Sequence, residues 1–380
     1  MADAPVTVAG VYIKSDAYPN VKYKVDGLLH DDPATREINC TPGVGKQFGG
    51  SAVRSLWSAL RFGAAHLRVL AAVIRLPQPR HLYVPYPAVF VVLLLSFMPR
   101  RWRPARVHID AFISLYDTIV RDRRLLRERH PLARLLLAAE RRAYRHTDVV
   151  LVDTPANAAY MSELFGLDAR RFVAMPLSID ERTYGRRDYV PAAAPCTVLF
   201  IGTFVPLQGV DVIARAIVQL RAQPQIRFRL IGSGQSAGDV QAILAQAGCT
   251  NVSWERGWQS AQALADEIAG ADICLGIFGA GDKTQRVWPL KNYAYMAVGR
   301  ALISAATPAA QALAAGSPEP AWASVNAGDP DALAAMIVAL AADPARRQRL
   351  ADAAASLYRT HLSNAVSLAM LKDSLRARQQ

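Results

Sequence analysis

Short apolar runs alternate with amphipathic segments along the second half of the chain. The runs Thr197–Ile201, Phe228–Ile231 and Asp272–Phe278 have the composition of buried strands, and a glycine follows each of them directly. Further extended runs cover Val252–Trp254 and Ala301–Ser304. Segments with helical spacing cover Gly209–Leu220, Gln241–Ala247, Ala261–Ala269, Pro289–Val298, Ala332–Leu340 and Ala345–Tyr358. Alternating strands and helices predict a parallel sheet covered on both faces, a doubly wound domain that binds ligands at the carboxyl ends of its strands.

The first half alternates more loosely. Its apolar pattern predicts strands at Val6–Ile13, Leu82–Val84, Val107–Ile109 and Val149–Val152. It predicts two long helices at Ser51–Ile74 and Leu125–Tyr144. A stretch rich in Pro, Gly, Arg and Asp, Met175–Pro195, indicates a linker. We therefore predict an α/β protein with domains at 1–180 and 181–380, the last helix being a candidate to pack back on the first domain. Two such domains are expected to leave a ligand cleft between them.

One segment is apolar enough to raise the question of a membrane span. His81–Pro99 contains no Lys, Arg, Asp or Glu, but Pro85 and Pro87 interrupt it and leave only Ala88–Met98 continuous. A spanning helix needs about 20 apolar residues, so we expect a strand, a turn and a buried helix here. The opening run Val6–Ile13 favours a strand over a secretory leader.

The chain is strongly basic, with 44 Lys and Arg against 31 Asp and Glu. Residues 1–188 hold 28 cations and 18 acids, a net +10, while the remainder holds 16 and 13, a net +3. This balance favours an anionic partner that faces the first half. The four cysteines form no C-x-x-C pair, which argues against a zinc site or a disulfide framework and favours buried thiols in a reducing compartment.

Several motifs of the second half occur in a characteristic order. They are LFIGTFVPLQG at Leu199–Gly209, RLIGSG at Arg229–Gly234, WERGW at Trp254–Trp258, ICLGIFG at Ile273–Gly279 and the following segment with Lys283, Arg286, Pro289 and Lys291. As a set, over about Val149 to Ala342, they resemble the nucleotide-sugar domain of the family 4 glycosyltransferases of bacterial cell-surface polysaccharide synthesis. The resemblance implies the GT-B fold, two facing Rossmann-like domains. The first half is similar to the family's acceptor domain only in outline.

The residues of these motifs suit a nucleoside diphosphate. Glycines at strand ends allow close approach to backbone N–H groups, and a helix N-terminus adds partial positive charge. We predict donor contacts at Gly202, Thr203, Gln208, Gly209, Gly232 and Gly279. Thr203 and Gln208 stand where many family members have Arg and Lys, so the missing charge is expected from Lys283, Arg286 and Lys291. Arg286 and Lys291 are assigned to the diphosphate, Arg286 as a catalytic residue that stabilises the leaving group.

The chain departs from the family pattern at two carboxylates. Many members carry two Glu with seven residues between them, the second of which binds the ribose hydroxyls; here those places hold Arg286 and Ala294. Tyr293, Asn292 or backbone groups are the candidates to hold the ribose instead. The departure keeps a catalytically weakened scaffold open as an alternative function.

Two further features of the sequence bear on the nucleobase and on a metal ion. The resemblance places the base near Glu255–Trp258, where Arg256 or Trp258 could stack on it, or simply pack locally. No Asp-x-Asp motif stands at a strand end, and Asp31–Asp32 lies in a Pro-containing loop. We therefore expect a metal-independent reaction with no cofactor besides the donor.

The first half supplies the candidates for chemistry on the acceptor. Asp110 ends the predicted strand HID and is the first choice, as a general base if the reaction inverts or as a positioning group if it retains, which most of the family does. His108 and Asp117 are competitors, and an N-cap role for Asp110 is the structural alternative. Lys14, Tyr18 and Lys22 flank a predicted turn at Tyr18–Asn20 and suit an acceptor pyrophosphate.

Two further patterns bear on partners. GVGK at Gly43–Lys46, followed by Gly49–Gly50, fails the phosphate-loop spacing because Gln47 follows the lysine. Arg100–Arg145 holds 13 arginines and follows the apolar Ala88–Met98, which predicts docking on an anionic membrane, or else a solvated helix face. The absence of an RNA- or DNA-binding signature argues against a nucleic-acid partner.

These inferences predict a peripheral enzyme on the inner, cytoplasmic face of the cell membrane. We expect it to be a retaining hexosyltransferase that moves a sugar from a UDP- or GDP-sugar to a lipid-linked glycan in surface polysaccharide synthesis.

Overall fold

A computed structural model describes residues 5–42, 52–77, 81–191 and 194–377, without the side chains of residues 52–56 and 59. The chain divides into two compact units: the first unit comprises Met1–Ser178 and Ser367–Gln380, and the second unit comprises Ile179–Val366. The segment from Gly43 to Gly50 with its GVGK sequence lies outside the described residues.

The first unit is built on a six-stranded parallel sheet with the order β2-β1-β3-β4-β5-β6. Its strands are β1 (Val6–Gly10), β2 (Arg36–Asn39), β3 (His81–Val84), β4 (Arg106–Asp110), β5 (Val149–Val152) and β6 (Phe172–Ala174). The connecting helices are α1 (Pro19–Asp31), α2 (Ala52–Ile74), α3 (Val89–Ser96), α4 (Pro131–Arg145) and α5 (Pro155–Phe165).

The second unit holds another six-stranded parallel sheet, with the order β12-β11-β10-β7-β8-β9. Its strands are β7 (Cys196–Ile201), β8 (Ile226–Ile231), β9 (Val252–Glu255), β10 (Ile273–Leu275), β11 (Ala301–Ala305) and β12 (Ala323–Val325). Its helices are α6 (Val210–Gln219), α7 (Ala237–Gln246), α8 (Ala261–Ala269), α9 (Leu290–Val298), α10 (Pro308–Ala314), α11 (Pro330–Ala342) and α12 (Pro344–Leu357). The strand order reverses between β7 and β10, which is the switch point at which doubly wound domains bind ligands.

Most of the last helix, α13 (Asn364–Arg376), belongs to the first unit, because that unit resumes at Ser367. The Ser367 hydroxyl donates to the Pro176 carbonyl, and Leu371 and Leu375 share a buried cluster with α1. On the opposite face of this sheet, α2, α3, α4 and α5 cover a second cluster. Alternate residues of β3, β5 and β6 therefore serve two separate apolar layers.

The predicted fold class is confirmed, since each unit is a Rossmann-like doubly wound α/β unit. The predicted bounds of β5 and α8 are those observed, and the run Ala88–Met98 forms the mostly buried α3. Over the described residues, no helix combines the length and the apolar character needed to cross a bilayer.

Several predicted elements have other bounds in the structure, and three of them show the physical reason. The helix predicted from Leu125 begins at Pro131, because proline disfavours helix at the preceding residue and His130 instead caps the helix by accepting from the Leu132 N–H. The predicted turn at Tyr18–Asn20 is the start of α1, with Pro19 in its first turn. The strand predicted to reach Phe278 ends at Leu275, since the Phe278 N–H leaves the sheet and donates to the Gln208 carbonyl (3.1 Å).

Candidate functional site

Loops that follow β7, β8 and β10 meet backbone to backbone at the carboxyl edge of the second sheet. Gly232 has φ +129°, and a Cβ there would overlap the Gly202 carbonyl oxygen. Gly209 has φ +63°, and a Cβ there would overlap the backbone of Phe278 and Gly279. Only glycine fits these two positions. The result is a strand-end edge where the backbones of the three loops lie in direct contact.

Lys291, in the first turn of α9, places a buried amine beside this edge. Its Nζ lies 3.7 Å from the centroid of the Phe200 ring, at the end of β7, and has no hydrogen-bond partner. Burial lowers the pKa of Lys291 well below its ordinary value. An amine without a partner is costly to bury, and an anion placed against it would both hold a proton on it and supply its missing bond.

Other buried polar atoms, in the loop after β7 and around the start of α9, also lack a hydrogen-bond partner. They are the Gln208 side-chain oxygen, the Trp288 indole nitrogen, and both the oxygen and the nitrogen of the Asn292 side chain. Asn292 is fully buried, and Trp288 packs at 4.6 Å against the Trp322 ring. Native structures rarely leave such groups unsatisfied, so a cluster of them points to a polar ligand.

Lys283 and Arg286 lie in the turn that leads into α9. The Arg286 N–H donates to the Lys283 carbonyl (3.2 Å), and the Thr284 hydroxyl donates to the Leu207 carbonyl (3.4 Å). The second bond ties the turn to the loop after β7. Arg286 is buried, Lys283 is partly exposed, and both side chains also interact within the fold. The structure thus attaches the segment that carries both predicted cations to the loop that carries Gln208.

The two carboxylates of the family pattern are absent, as the sequence indicates. Ala294 lies buried on α9, between the buried Tyr293 and Tyr295. The Tyr295 hydroxyl accepts from the Ile201 N–H (3.0 Å) and so connects α9 to the end of β7. Among the candidates for holding a ribose, Asn292 is the one with both polar atoms unpartnered.

Arg256 and Trp258 are exposed beyond the end of β9. The Arg256 guanidinium lies 4.0 Å from the centroid of the Trp254 ring, which stacks on Phe204 at 5.0 Å. The Trp254 indole donates to the Gly232 carbonyl (2.8 Å). This stack places Arg256 next to the loop after β8. Thr203, in the loop after β7, is exposed as well.

Asp110 lies at the end of β4 and is almost completely buried. One of its oxygens accepts from the Lys24 amine (3.0 Å), the Asn20 amide (3.2 Å) and the Tyr83 hydroxyl (3.4 Å), while its Oδ1 has no partner. The Asn20 side chain also accepts from the Ser178 N–H (3.0 Å). Asp110 therefore joins β4 to the start of α1, and its catalytic role stays a prediction.

The competitors of Asp110 have protein partners. The His108 Nε2 lies 3.0 Å from the Ser374 carbonyl oxygen, and burial lowers the pKa of this imidazole. Asp117 accepts from the Tyr160 hydroxyl (2.8 Å).

The predicted acceptor cations are already paired with carboxylates. Lys14 contacts Glu37 (2.9 Å) and Asp26 (3.3 Å), and Lys22 contacts Asp16 (2.5 Å). Burial alone would lower the pKa of Lys14, but its bonds to the two carboxylates outweigh burial and raise it. Tyr18 precedes α1 and is exposed. An acceptor pyrophosphate would have to displace or share these carboxylates.

Sequence reasoning missed Lys24, the ion-pair partner of Asp110. A signal was present: Lys24 shares the inward stripe of α1 with Val21, Val25 and Leu28, where a lysine requires a buried counter-charge. Within the described ranges, no group of three or more His, Cys, Asp or Glu side chains could hold a metal ion.

Comparisons with known proteins agree on the fold. Residues 195–343 match the family model for glycosyl transferases group 1, a region that covers less than half of the chain. No curated protein sequence matches the chain.

Solved structures are similar over nearly the whole chain. The UDP complex of HepE from Anabaena is 12% identical over 98% of this chain and 99% of its own, with a TM-score of 0.70. Sucrose-phosphate synthase from Thermosynechococcus elongatus is 17% identical over 97% of each chain, with a TM-score of 0.73. The E. coli trehalose-6-phosphate structure bound with UDP-2-fluoro glucose is 13% identical over 99% of this chain and 100% of its own, at 0.65. The shared architecture is the GT-B fold.

Proposed function

We propose that this protein transfers a glycosyl group from a nucleoside-diphosphate sugar to an acceptor hydroxyl and that the second unit binds the donor. One observation carries the proposal: the buried Lys291 amine and the unpartnered polar atoms of Gln208, Trp288 and Asn292 belong to the loop after β7 and to the segment that enters α9, next to the switch point. A nucleoside diphosphate combines the negative charge and the polar hydroxyls that would satisfy these groups.

Each part of the edge has a role in the proposed reaction. Lys291 and Arg286 bind the diphosphate, with Lys283 adding charge, and backbone N–H groups of the glycine loops bind its remaining oxygens. Asn292 accepts and donates hydrogen bonds to the ribose in place of the carboxylate absent at Ala294. In a retaining transfer, the bond between the sugar C1 and the diphosphate breaks, C1 bonds to the acceptor oxygen, and the leaving diphosphate takes the hydroxyl proton.

The comparisons support a uridine donor as the first to try. One matched region is described as a group 1 glycosyl transferase domain, and HepE was solved with UDP and with UDP-glucose. Those ligands belong to HepE, and the donor of the present protein is a proposal, with GDP-sugars as the alternative.

For the acceptor, we propose a lipid-linked glycan handled on the inner face of the cell membrane, with exported polysaccharide as the final product. The basic character of the first half supports it, since residues 1–188 carry net charge +10. The proposed reaction needs no metal ion, so transfer is expected to survive EDTA.

The decisive experiment combines donor binding with turnover. A panel of UDP-, GDP- and ADP-sugars is tested by calorimetry, and binders are incubated with lipid-linked acceptors while nucleoside-diphosphate release is measured. We expect one base to bind and to be released, and Arg286→Gln to weaken binding by about 10- to 100-fold, as expected for a lost hydrogen bond between charged groups. Arg227→Gln is the matched control, because Arg227 is an exposed arginine of the same unit.

The outcomes separate the alternatives. Absence of binding by every sugar nucleotide, or an Arg286→Gln variant that binds as wild type, would contradict the proposed donor site. Tight binding without release over long incubation with all acceptors would instead identify the weakened scaffold that Ala294 makes conceivable.

A further inference from the structure

The outward face of α2 is apolar where a helix on a water-exposed surface would be polar. Trp57, Leu60 and Leu67 are 64%, 57% and 58% exposed, and their spacing places them on one side of the helix. The opposite side, with Val69 and Val73, is buried in the core of the first unit. Because α2 has two apolar sides and the described residues cover only one of them, its outer side leaves an exposed apolar patch.

This surface continues onto the neighbouring helices. The Phe62 ring of α2 meets the Phe90 ring of α3 edge to face at 5.6 Å, and both are partly exposed. Phe97, just after α3, is 61% exposed, with the Arg142 guanidinium of α4 lying 4.0 Å from the centroid of its ring. Two further exposed leucines, Leu132 and Leu135, lie on α4. We call the exposed side of these three helices the α2–α4 face.

The charge of the α2–α4 face has a single sign. Residues 38–109, which include α2 and α3, contain ten Lys or Arg and no Asp or Glu at all. Arg61 and Arg68 are exposed on α2, on the same side as Leu60 and Leu67. A long segment that carries only positive charge next to exposed leucine and tryptophan combines two features that seldom stand together on a surface that faces only water.

Helix α4 adds cations without exposed acids. Its one carboxylate, Glu140, is fully buried and accepts from the Leu115 and Tyr116 N–H groups and from the Ser114 and Tyr144 hydroxyls. On the exposed side, a depression of about 300 Å³ is lined by Arg134, Arg141, Arg142 and Arg145 together with His146. Such a depression fits a phosphate-bearing headgroup.

We propose that the α2–α4 face docks on an anionic lipid bilayer, with Trp57, Leu60, Leu67 and Phe97 entering the interface and the arginines contacting lipid phosphates. An amphipathic helix lies in the interface in this way when an apolar stripe is flanked by cations, and tryptophan is favoured at the headgroup level. Nucleic acid would also use the arginines and could stack on Trp57 or Phe97, but the exposed leucines offer no surface for base stacking and favour a bilayer.

The apolar part of the proposed membrane contact differs from the one expected from the sequence. The sequence suggested the run Ala88–Met98, but most of that run is buried within the first unit. The exposed apolar surface instead comes chiefly from α2, whose outer residues Trp57, Leu60 and Leu67 the sequence analysis had not singled out.

The test is flotation of the full chain with vesicles, without donor or acceptor. Vesicles of phosphatidylcholine with 30% phosphatidylglycerol are compared with vesicles of pure phosphatidylcholine at low and at high salt. We expect binding to the anionic vesicles only, weakened by salt, because screening reduces the arginine contribution. Trp57→Ser/Leu67→Ser and Arg61→Gln/Arg68→Gln should each reduce the bound fraction at least tenfold.

Matched controls lie on the second unit. Val190→Ser/Val338→Ser removes two exposed apolar side chains, and Arg227→Gln/Arg359→Gln removes two exposed arginines. Both should bind vesicles as wild type, and circular dichroism checks the fold of every variant. Trp57→Leu keeps the apolar character and should still bind the vesicles. In vesicles that contain brominated lipid, the lipid should quench part of the tryptophan fluorescence of the wild type, and Trp57→Leu should lack that quenched part.

Three results would overturn the proposal: no flotation with the anionic vesicles even at low salt, α2 variants that bind like their controls, or displacement from the vesicles by a random single-stranded oligonucleotide that binds more tightly. Docking and glycosyl transfer fail separately, because vesicle binding needs no donor and turnover on a soluble acceptor needs no vesicle.

Discussion

Lysines near the strand ends of the two units are treated in opposite ways. In the first unit, Lys24 is buried against Asp110, and Lys14 lies between Glu37 and Asp26. In the second unit, the Lys291 amine is buried over the Phe200 ring with no hydrogen-bond partner. Both units have the same kind of parallel sheet, so the fold alone does not cause the difference.

The difference supports the proposed donor site, because the paired Lys24 contributes to stability and the unpartnered Lys291 does not. The Lys24–Asp110 pair joins α1 to β4, and its charges largely satisfy each other. The Lys291 amine gains nothing comparable from the folded chain, since burial lowers its pKa and no acceptor bonds it. A residue that costs stability and lies at the proposed donor-binding edge is the pattern expected of a functional site.

Breaking the satisfied pair should have the largest effect. Lys24→Met leaves the Asp110 carboxylate buried without its counter-charge, which we expect to destabilise the protein by about 3–5 kcal/mol. Urea denaturation of the full chain measures this loss of stability. A double variant, Lys24→Met with Asp110→Leu, should recover much of it, because two apolar side chains replace two buried charges.

The same series decides the role of Asp110. Asp110→Asn should also destabilise, and its rate per folded molecule is compared with that of Lys24→Met. A rate loss confined to Asp110→Asn would show that the carboxylate acts in the reaction, while equal rates after correction for the folded fraction would leave it a structural residue. A stable Lys24→Met variant would remove the contrast between the two units.

Removing the unpartnered lysine should do the reverse. Lys291→Met is expected to weaken donor binding by about 1.5–3 kcal/mol, or roughly 10- to 100-fold, because it removes a hydrogen bond between charged groups. Its melting temperature should stay the same or rise, since the pKa of Lys291 is lowered in the folded state and folding near neutral pH therefore disfavours its charged form. Calorimetry and thermal unfolding measure the two effects.

Lys372→Met is the control for this variant. Lys372 is a partly exposed lysine of the first unit that bonds Asp31, far in sequence from the donor edge. It should leave donor affinity unchanged. If Lys291→Met instead lowers the melting temperature and keeps full affinity, the amine is structural and the donor assignment is wrong.

The second unit was the more predictable from sequence for a physical reason. Several of its strands are β-branched runs that lead into glycine-containing turns, and at Gly209 and Gly232 a close backbone approach leaves no room for a side chain. Such positions tolerate no side chain, so the local sequence carries the geometry. The end of α9 was predictable in the same way, because Gly299 caps this helix with φ +79°.

The first unit was less predictable because tertiary contacts decide its details. The strand β2 is mostly exposed and has the polar sequence REIN, so its pairing with β1 leaves no apolar pattern to read. Lys24 is buried only because Asp110, 86 residues later, supplies its partner. The exposed apolar side of α2 follows the same spacing as its buried side, and only the structure shows which side the core covers.

The smallest expected effect is the uptake of a proton when the donor binds, and it tests the contrast between the two units most directly. In the free protein, burial lowers the pKa of Lys291, and a diphosphate bonded to the amine should raise it. Between those two pKa values, donor binding takes up as much as one proton. Affinity is therefore constant below the pKa of the free protein and falls as pH rises through the window, by at most tenfold per unit.

Calorimetry in two buffers of different ionisation heat counts the proton. A sugar nucleotide is used instead of the free diphosphate, whose terminal phosphate titrates near pH 6 in the manner of other phosphate monoesters. Lys291→Arg keeps a positive charge at every pH used, so its binding should take up no proton and its affinity should stay flat. Equal proton uptake by the wild type and Lys291→Arg would mean that the amine is charged before the donor arrives, and that it differs less from Lys24 than its surroundings indicate.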